Sequence, residues 1–543
     1  MAEELTREEQ AALAPYVSNL AGPVFALVNL PEVVKGALFA RYSRSPKSLR
    51  RLFLDEFLGP GGLEAARLGG AGGDAGARRA EQLFERVFVE YGDDSVAQLG
   101  GVHLACEGSS NILTKVLEWG RLMAYLEQST RYIPYDDRPD GRYRYHVPAE
   151  LTGPLRERYV ATLDRSFDVY RTWLPKLRAF FEAKFARDPA ESESVYRMTI
   201  RAKALDTLRG MLPAATTSNV GIYGTGQAYE QLLLRMRAHP LREVRNCADL
   251  MLLELRKVIP AFLRRVDVPE RGGIWSTYLE QTRRETRDAA RRLLPPEPAR
   301  GPGERGHPDG CVSASEEVTL SDFDPDGEVK VVAAALYAVS SRSDAELLEI
   351  ARRMTAEERS AVLAAYVGKR LNRRHRPGRA FERTSYRFDV LGDYGAFRDL
   401  QRHRLLTLEW QRLTPRHGAV VPAAIAEAGA TDDWRRVLAE SAELHDAIEA
   451  AGLPEVASYA VCMAYRVRFY MDMNAREAMH VIELRTTPQG HPSYRRICQA
   501  MHRLVAGRHP AIAAAMTFAD HSSVDLERRE AERAAELRRG ASR

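Results

Sequence analysis

Four short segments of this chain hold residues that could do chemistry, and arginine dominates all four. WGRLMAYLEQSTRY (119–132) places Glu127, Ser129 and Arg131 at alternate positions. RGMLP begins with Arg209. QRHRLLTLEWQRLTP (401–415) opens with Arg402, His403 and Arg404. NAREAMHVIELR (474–485) carries Asn474, Arg476, His480 and Arg485 along one helical stretch. A planar guanidinium meets two phosphate oxygens at once and never loses its charge, so clustered arginines suit anionic small molecules. Each segment alone is weak. RHR triplets occur by chance in arginine-rich chains, EQSTRY can end a solvated helix, and NAREAMHVIELR can be an amphipathic helix with a charged face.

Elements must bring these segments together. A chain of 543 residues is too long for one ordinary core. ALFARYSRS (37–45) and ALYAVSSRS (335–343) match at seven of nine positions if Phe39 and Tyr337 count as similar, which marks an internal repeat. Alternating apolar residues before each copy suggest a strand, and LRRLFLDEFL and AELLEIARRM after them suggest helices. Residues 157–185 and 434–452 show helical spacing, the second ending in Gly452. Residues 294–315 are rich in Pro and Gly and read as a linker. They separate a first domain, 1–293 with its core at 36–245, from a second, 316–522. Residues 59–79 read as a flexible surface loop, and the charged tail from Ser523 to 543 as a frayed helix or disorder. The expected class is mixed α/β and helix-rich, with two related domains in tandem.

Composition narrows the function. A net charge of +5 is small against 79 basic and 74 acidic residues, so nucleic acid is not an expected partner. Tyr132, Tyr135, Tyr143 and Tyr145 are expected to pack or line a groove. Cys106, Cys247, Cys311, Cys462 and Cys498 are odd in number and include no close pair, which argues against a disulfide frame or a structural zinc. His103, His239 and His375 match no ligand pattern, and no metal is expected. The polar, acidic N-terminus is unlike a signal peptide and no apolar run reaches membrane length, so the expectation is a cytoplasmic protein with no membrane partner.

Taken together the segments resemble the flavin-dependent thymidylate synthases, whose signature runs RHR, two residues, S-x-N-E-x-S-x-R-Y. The first half keeps Arg121, Glu127, Ser129, Arg131 and Tyr132 but has Trp119 and Gly120 in place of Arg-His. The second half keeps Arg402, His403 and Arg404 but has Trp410, Arg412 and Thr414 where Glu, Ser and Arg would stand. Arg209 fits the family's Arg before Leu-Pro, with Ser458 at that position in the second half. The first half lacks the Asn of the N-x-R segment and keeps Arg235. The family's His before Ser-Val is replaced by Asp93, and Pro377 lies near the matching place in the second half, where Glu382 matches the family's Glu. The resemblance implies a nucleotide site of Glu127, Ser129, Arg131, Arg209, Arg402 and Arg485, with Arg485 favouring the ionised ring nitrogen. It implies FAD held by Arg402, His403, Arg404, Asn474, Arg476 and His480. Methylenetetrahydrofolate and NADPH would be cosubstrates in converting dUMP to dTMP. The implied assembly is a homodimer imitating a homotetramer, with one composite site surviving and its twin decayed. C5 modification of another pyrimidine nucleotide, and a non-catalytic flavin- or nucleotide-binding scaffold, are the alternatives.

Overall fold

The computed structural model describes residues 5–43, 45–58, 98–295 and 317–541. Asp93, the loop at 59–79, Cys311 and nearly all of the linker lie outside these residues. The chain forms two compact units. The first comprises Met1–Glu107, Gly120–Glu127 and Asn219–Glu297, and the second Gly108–Trp119, Gln128–Ser218 and Pro298–Arg543. The long helical segment of the first half therefore belongs to the same unit as the whole of the second half.

The two halves follow one plan. In the first, β1 (Gly101–Ser110), helix Asn111–Leu117 and β2 (Met123–Glu127) lead to helices Gly153–Lys184 and Glu193–Leu208. A 3-10 turn, Arg209–Met211, then precedes β3 (Thr217–Thr225) and helices Gly226–Arg237 and Arg242–Leu255. The second half opens with β4 (Val318–Phe323) and continues with β5 (Ser385–Asp393), helix Tyr394–Leu400 and β6 (Thr407–Trp410). Helix Thr431–Ala450, the 3-10 turn Ser458–Ala460, β7 (Arg466–Asn474) and helices Ala475–Arg485 and Pro492–Ala506 complete it. The sheets run β1-β3-β2 and β4-β5-β7-β6, so the shared core of three strands has the same order. Each strand-to-helix corner is closed by a cap. Ser110 and Thr225 accept from backbone N–H groups in the first half, and Asp393 and Asn474 do so in the second. Gly452, at φ +80°, follows helix Thr431–Ala450, as its sequence position suggested.

Within the second unit, pieces of the two halves meet about a local pseudo-two-fold axis. Ala214 N donates to Val461 O (2.8 Å), and Met463 N donates to Leu212 O (2.9 Å). Ala215 N donates to Tyr459 O, and Ala464 N to Gly210 O, both at 3.0 Å. Each bond becomes its mate when Leu212 is exchanged for Val461, Ala214 for Met463 and Gly210 for Tyr459. Pro213 and Cys462 bridge at the centre. Ser166 and Ser441 repeat the device from the flanking helices, donating to Met211 O and Ala460 O. The backbone groups of this buried seam are thus paired, in four bonds across the halves and in others with the flanking serines. Trp434 packs on Gly210, where a Cβ would come within 2.7 Å of its ring.

Two expectations change. The residues leading into each repeat copy are helical, not extended: Glu32–Tyr42 and Gly327–Tyr337. Their valines suggested strands, but burial of Val33, Val34, Ala37 and Leu38, and of Val331, Val332 and Ala335, follows a helical face. The tail is a docked helix, Arg529–Ala541, rather than a solvated end. Lys203 bonds Glu527 at 2.6 Å, Arg533 bonds Asp188 at 2.7 Å, and Ser192 donates to Glu536 at 2.6 Å. Its charges read as solvent-facing because their partners lie more than 300 residues earlier. Among the described residues all four cysteines are free, and no helix is long and apolar enough to cross a membrane.

Candidate functional site

The segments converge within the second unit. Arg209 starts the turn after helix Glu193–Leu208, Arg402 follows helix Tyr394–Leu400, and Arg485 ends helix Ala475–Arg485. Arg131 follows β2 in the chain. All four act on one carboxylate, Asp399. Burial pushes the Asp399 pKa up, but Arg402, Arg209, Arg485 and Arg131 together outweigh it and hold the carboxyl at about 2. A second carboxylate, Asp206, takes Arg131: Nε donates to both of its oxygens (2.8 and 2.9 Å) and Nη2 donates at 2.6 Å. Nη1 of Arg131 reaches Gln489 O and Tyr494 Oη. Arg131 is therefore largely committed within the protein. Arg209 is not. Its Nη1 lies 3.6 Å from Asp399, and its buried Nη2 has no hydrogen-bond acceptor. Gly395 makes room for it, since a Cβ there would stand 3.1 Å from that Nη2. Ser129 Oγ accepts from Arg131 N and shapes the turn. Glu127, on β2, is buried in the first unit.

A second cluster adjoins Arg485. Its Nε donates to His403 Nε2 at 2.9 Å, and His403 Nδ1 lies 3.5 Å from Glu477 Oε1. Burial and the charges of Arg485, His480 and Arg376 hold the His403 pKa well below the usual imidazole value. Burial raises that of Glu477 to about 7, against the pull of Arg376, Arg476 and Arg404. Arg376 meets the His480 ring at 2.9 Å. Arg476 donates to Pro377 O and pairs with Glu382 at 3.3 Å. Asn474 spends its side chain capping the helix on which Glu477 and His480 stand. Sequence reasoning missed Asp206, Asp399, Glu477, Arg376 and Tyr494. Two of them carry a signal: Asp206 and Asp399 each precede a named arginine by three residues, one helical turn.

The corresponding positions of the other copy carry different residues. Leu117 and Leu400 end matching helices, so Trp119 stands for Arg402, Gly120 for His403 and Arg121 for Arg404. β2 pairs Met123 with Gly224, and β6 pairs Leu408 with Met471, which is the same register. Thr414 and Ser458 therefore replace Arg131 and Arg209, and Trp410 replaces Glu127. Counting from the caps Thr225 and Asn474, Met236 rather than Arg235 corresponds to Arg485. Arg235, kept in the first half, therefore stands one residue before the place of Arg485. Trp119 and Trp410 pack edge to face at 5.6 Å, and Trp119 Nε1 donates to Leu408 O. Arg412 and Arg416 are tied to Glu449.

Residues 62–261 and 319–511 each match the family described as thymidylate synthase complementing protein. The chain belongs to this family. It carries the family's domain twice, in a helix-rich α/β fold, as the repeat implied. A UPF0159 protein of Chlamydia muridarum is 38% identical over 97% of this chain and 97% of its own length. A UPF0159 protein of Thermoplasma acidophilum is 30% identical over 92% of this chain and 97% of its own. The flavin-dependent thymidylate synthase of Clostridium tetani is 26% identical over 33% of this chain and 67% of its own. Among solved structures, a UMP/dUMP methylase, PolB, from Streptomyces cacaoi bound with 5-Br dUMP shares 21% identity, with a TM-score of 0.30. That match covers 37% of this chain and 93% of the methylase. The two-domain chain is accordingly thymidylate synthase-like.

Proposed function

We propose that the chain is a flavin-dependent enzyme that methylates C5 of dUMP to give dTMP, using methylenetetrahydrofolate and NADPH, at one site built from both halves. The observation that carries this reading is the Asp399 pocket. Four guanidinium groups meet there with two carboxylates, and a buried Arg209 N–H lacks an acceptor. A buried donor left unpaired costs about 1–3 kcal/mol, and a phosphate oxygen would supply the missing acceptor. Arg209 and Arg402 are assigned to the phosphate. Arg131, braced by Ser129, shapes the pocket wall through Asp206. Arg485, held by His403, is assigned to the uracil edge, where positive charge favours an ionised ring nitrogen.

The residues assigned to FAD fit its diphosphate. Arg376, Arg404 and Arg476 press on the same buried Glu477, beside the capped N-terminus of helix Ala475–Arg485. With Arg402 they supply fixed positive charge, while His403, Asn474 and His480 shape the site around them. When bound, the flavin supplies the redox chemistry that no side chain of this site can provide. The cysteines that are free among the described residues agree with a cytoplasmic location, and a homodimer is the proposed assembly. The test is tritium release from dUMP labelled at C5, with FAD, NADPH and methylenetetrahydrofolate added, and UMP run in parallel. Release from dUMP supports the reading. Release from UMP alone moves it to another pyrimidine nucleotide. Failure to bind either nucleotide or FAD contradicts it.

A further inference from the structure

We propose that Glu477 and His403 form a positioning relay for Arg485, in which the carboxylate selects the imidazole tautomer and the imidazole holds the guanidinium. Arg485 Nε–H donates to His403 Nε2 at 2.9 Å, so that nitrogen offers a lone pair. The ring is neutral, because burial and three neighbouring positive or ring groups oppose its protonation. A neutral imidazole accepting at Nε2 carries its hydrogen on Nδ1. The Nδ1 side faces Glu477 Oε1 at 3.5 Å, with both side chains about 95% buried. An ionised carboxylate is acceptor-only and admits just this tautomer. The opposite tautomer would set an N–H of His403 against an N–H of Arg485. With Nε fixed, the two terminal nitrogens of Arg485 are directed by the ring rather than by solvent.

Glu477 has no other assignment in the site, and its burial as a charge is costly. His403, Glu477 and His480 lie close enough together to share a cation. That use is disfavoured, because Arg485 already occupies His403 Nε2 and Arg376 lies against the His480 ring. The relay instead uses the contacts that exist.

Glu477 is faced by Arg404 and His403 from the segment after helix Tyr394–Leu400, by Arg376 from the preceding loop, and by Arg476 and His480 from its own helix. Among them Glu477 is the group that changes charge as pH falls through about 7. Once protonated it can donate as well as accept, and the tautomer is no longer dictated.

The test uses the full chain with ¹⁵N-labelled histidine, His403 being assigned by loss of its signals in His403→Gln. At pH 8 the relay requires Nδ1 protonated and Nε2 bare. The second tautomer should appear as pH is lowered through about 7, and at pH 8 in both Glu477→Gln and Glu477→Leu. Glu477→Gln keeps size and packing, so it decides the matter if Glu477→Leu does not fold. Calorimetry with dUMP gives the second arm, which rests on the proposed function. His403→Leu should weaken dUMP at least tenfold, and His403→Gln, which keeps an acceptor, should recover most of the loss. The imidazole arm needs no nucleotide, so absence of dUMP binding in the wild type defeats the proposed substrate without touching the relay. An Nε2–H tautomer in the wild type, or one unmoved by both Glu477 variants, overturns it.

Discussion

The Asp399 pocket and its twin are built on one backbone plan and have opposite chemistry. In the pocket Arg131, Arg209, Arg402 and Arg485 share a buried carboxylate. At the corresponding positions within the second unit their places fall to Thr414, Ser458 and Trp119. Ser458 donates to Leu413 O, Thr414 caps the turn at Arg416, and Trp119 packs on Trp410. Each replacement is satisfied locally and asks for no anion. Buried guanidinium groups repel one another and persist where anions balance them, so on the proposed reading a copy that binds no anion has no reason to keep them. Strand order, caps and the seam at Pro213 and Cys462 are kept because both halves need them to fold.

The sharpest way to break this comparison is to give the pocket its twin's residues. Arg209→Ser and Arg402→Trp should each weaken dUMP more than tenfold by calorimetry, the effect of losing a charged hydrogen bond of about 1.5–3 kcal/mol. Arg412→Ala, at the twin, should leave binding within twofold, because its partner is Glu449. Equal losses from all three would erase the distinction.

Glu477→Gln should act on stability in the opposite direction. Glu477 has a raised pKa, about 7, so the fold favours its neutral form. Its contribution is present below the unfolded value and is lost as pH rises to 7. Replacing it with Gln should therefore raise stability by on the order of 2–3 kcal/mol at pH 8 and change little at pH 4.5. Denaturant melts at the two pH values check the sign.

Gly210→Ala tests the seam that the two halves share. The new Cβ meets the Trp434 ring and should cost about 1–3 kcal/mol in a denaturant melt. A neutral result would mean that the seam tolerates repacking and is not a reason for keeping both copies. The smallest effect should come from truncation after His521. It removes the contacts of Glu527 with Lys203, Arg529 with Glu191 and Arg533 with Asp188, and a small fall in the midpoint of a denaturant melt is expected.

Much of this was legible in the sequence, for reasons that differ by residue. The tandem plan showed because ALFARYSRS and ALYAVSSRS sit before parallel motif orders. The arginines showed because their chemistry has few substitutes. Asp206, Asp399 and Glu477 did not, since a lone carboxylate on a helix is usually solvated, and only tertiary packing turns it toward an arginine. The one-residue offset of Arg235 was not legible because helix Gly226–Arg237 offers two arginines near its end, and only the cap at Thr225 fixes the count. The tail looked solvated because ion pairs across more than 300 residues leave no local pattern. The strands assigned before the repeats failed because valine and alanine runs suit either period when buried on one side.

On the proposed reading each chain holds one binding site, and the corresponding positions of the other copy hold none. Titrating the flavin-depleted chain with FAD, and then with dUMP, measures this directly by stoichiometry. One FAD and one dUMP per chain are expected, both lost in Arg402→Trp. Two equivalent sites per chain would contradict it.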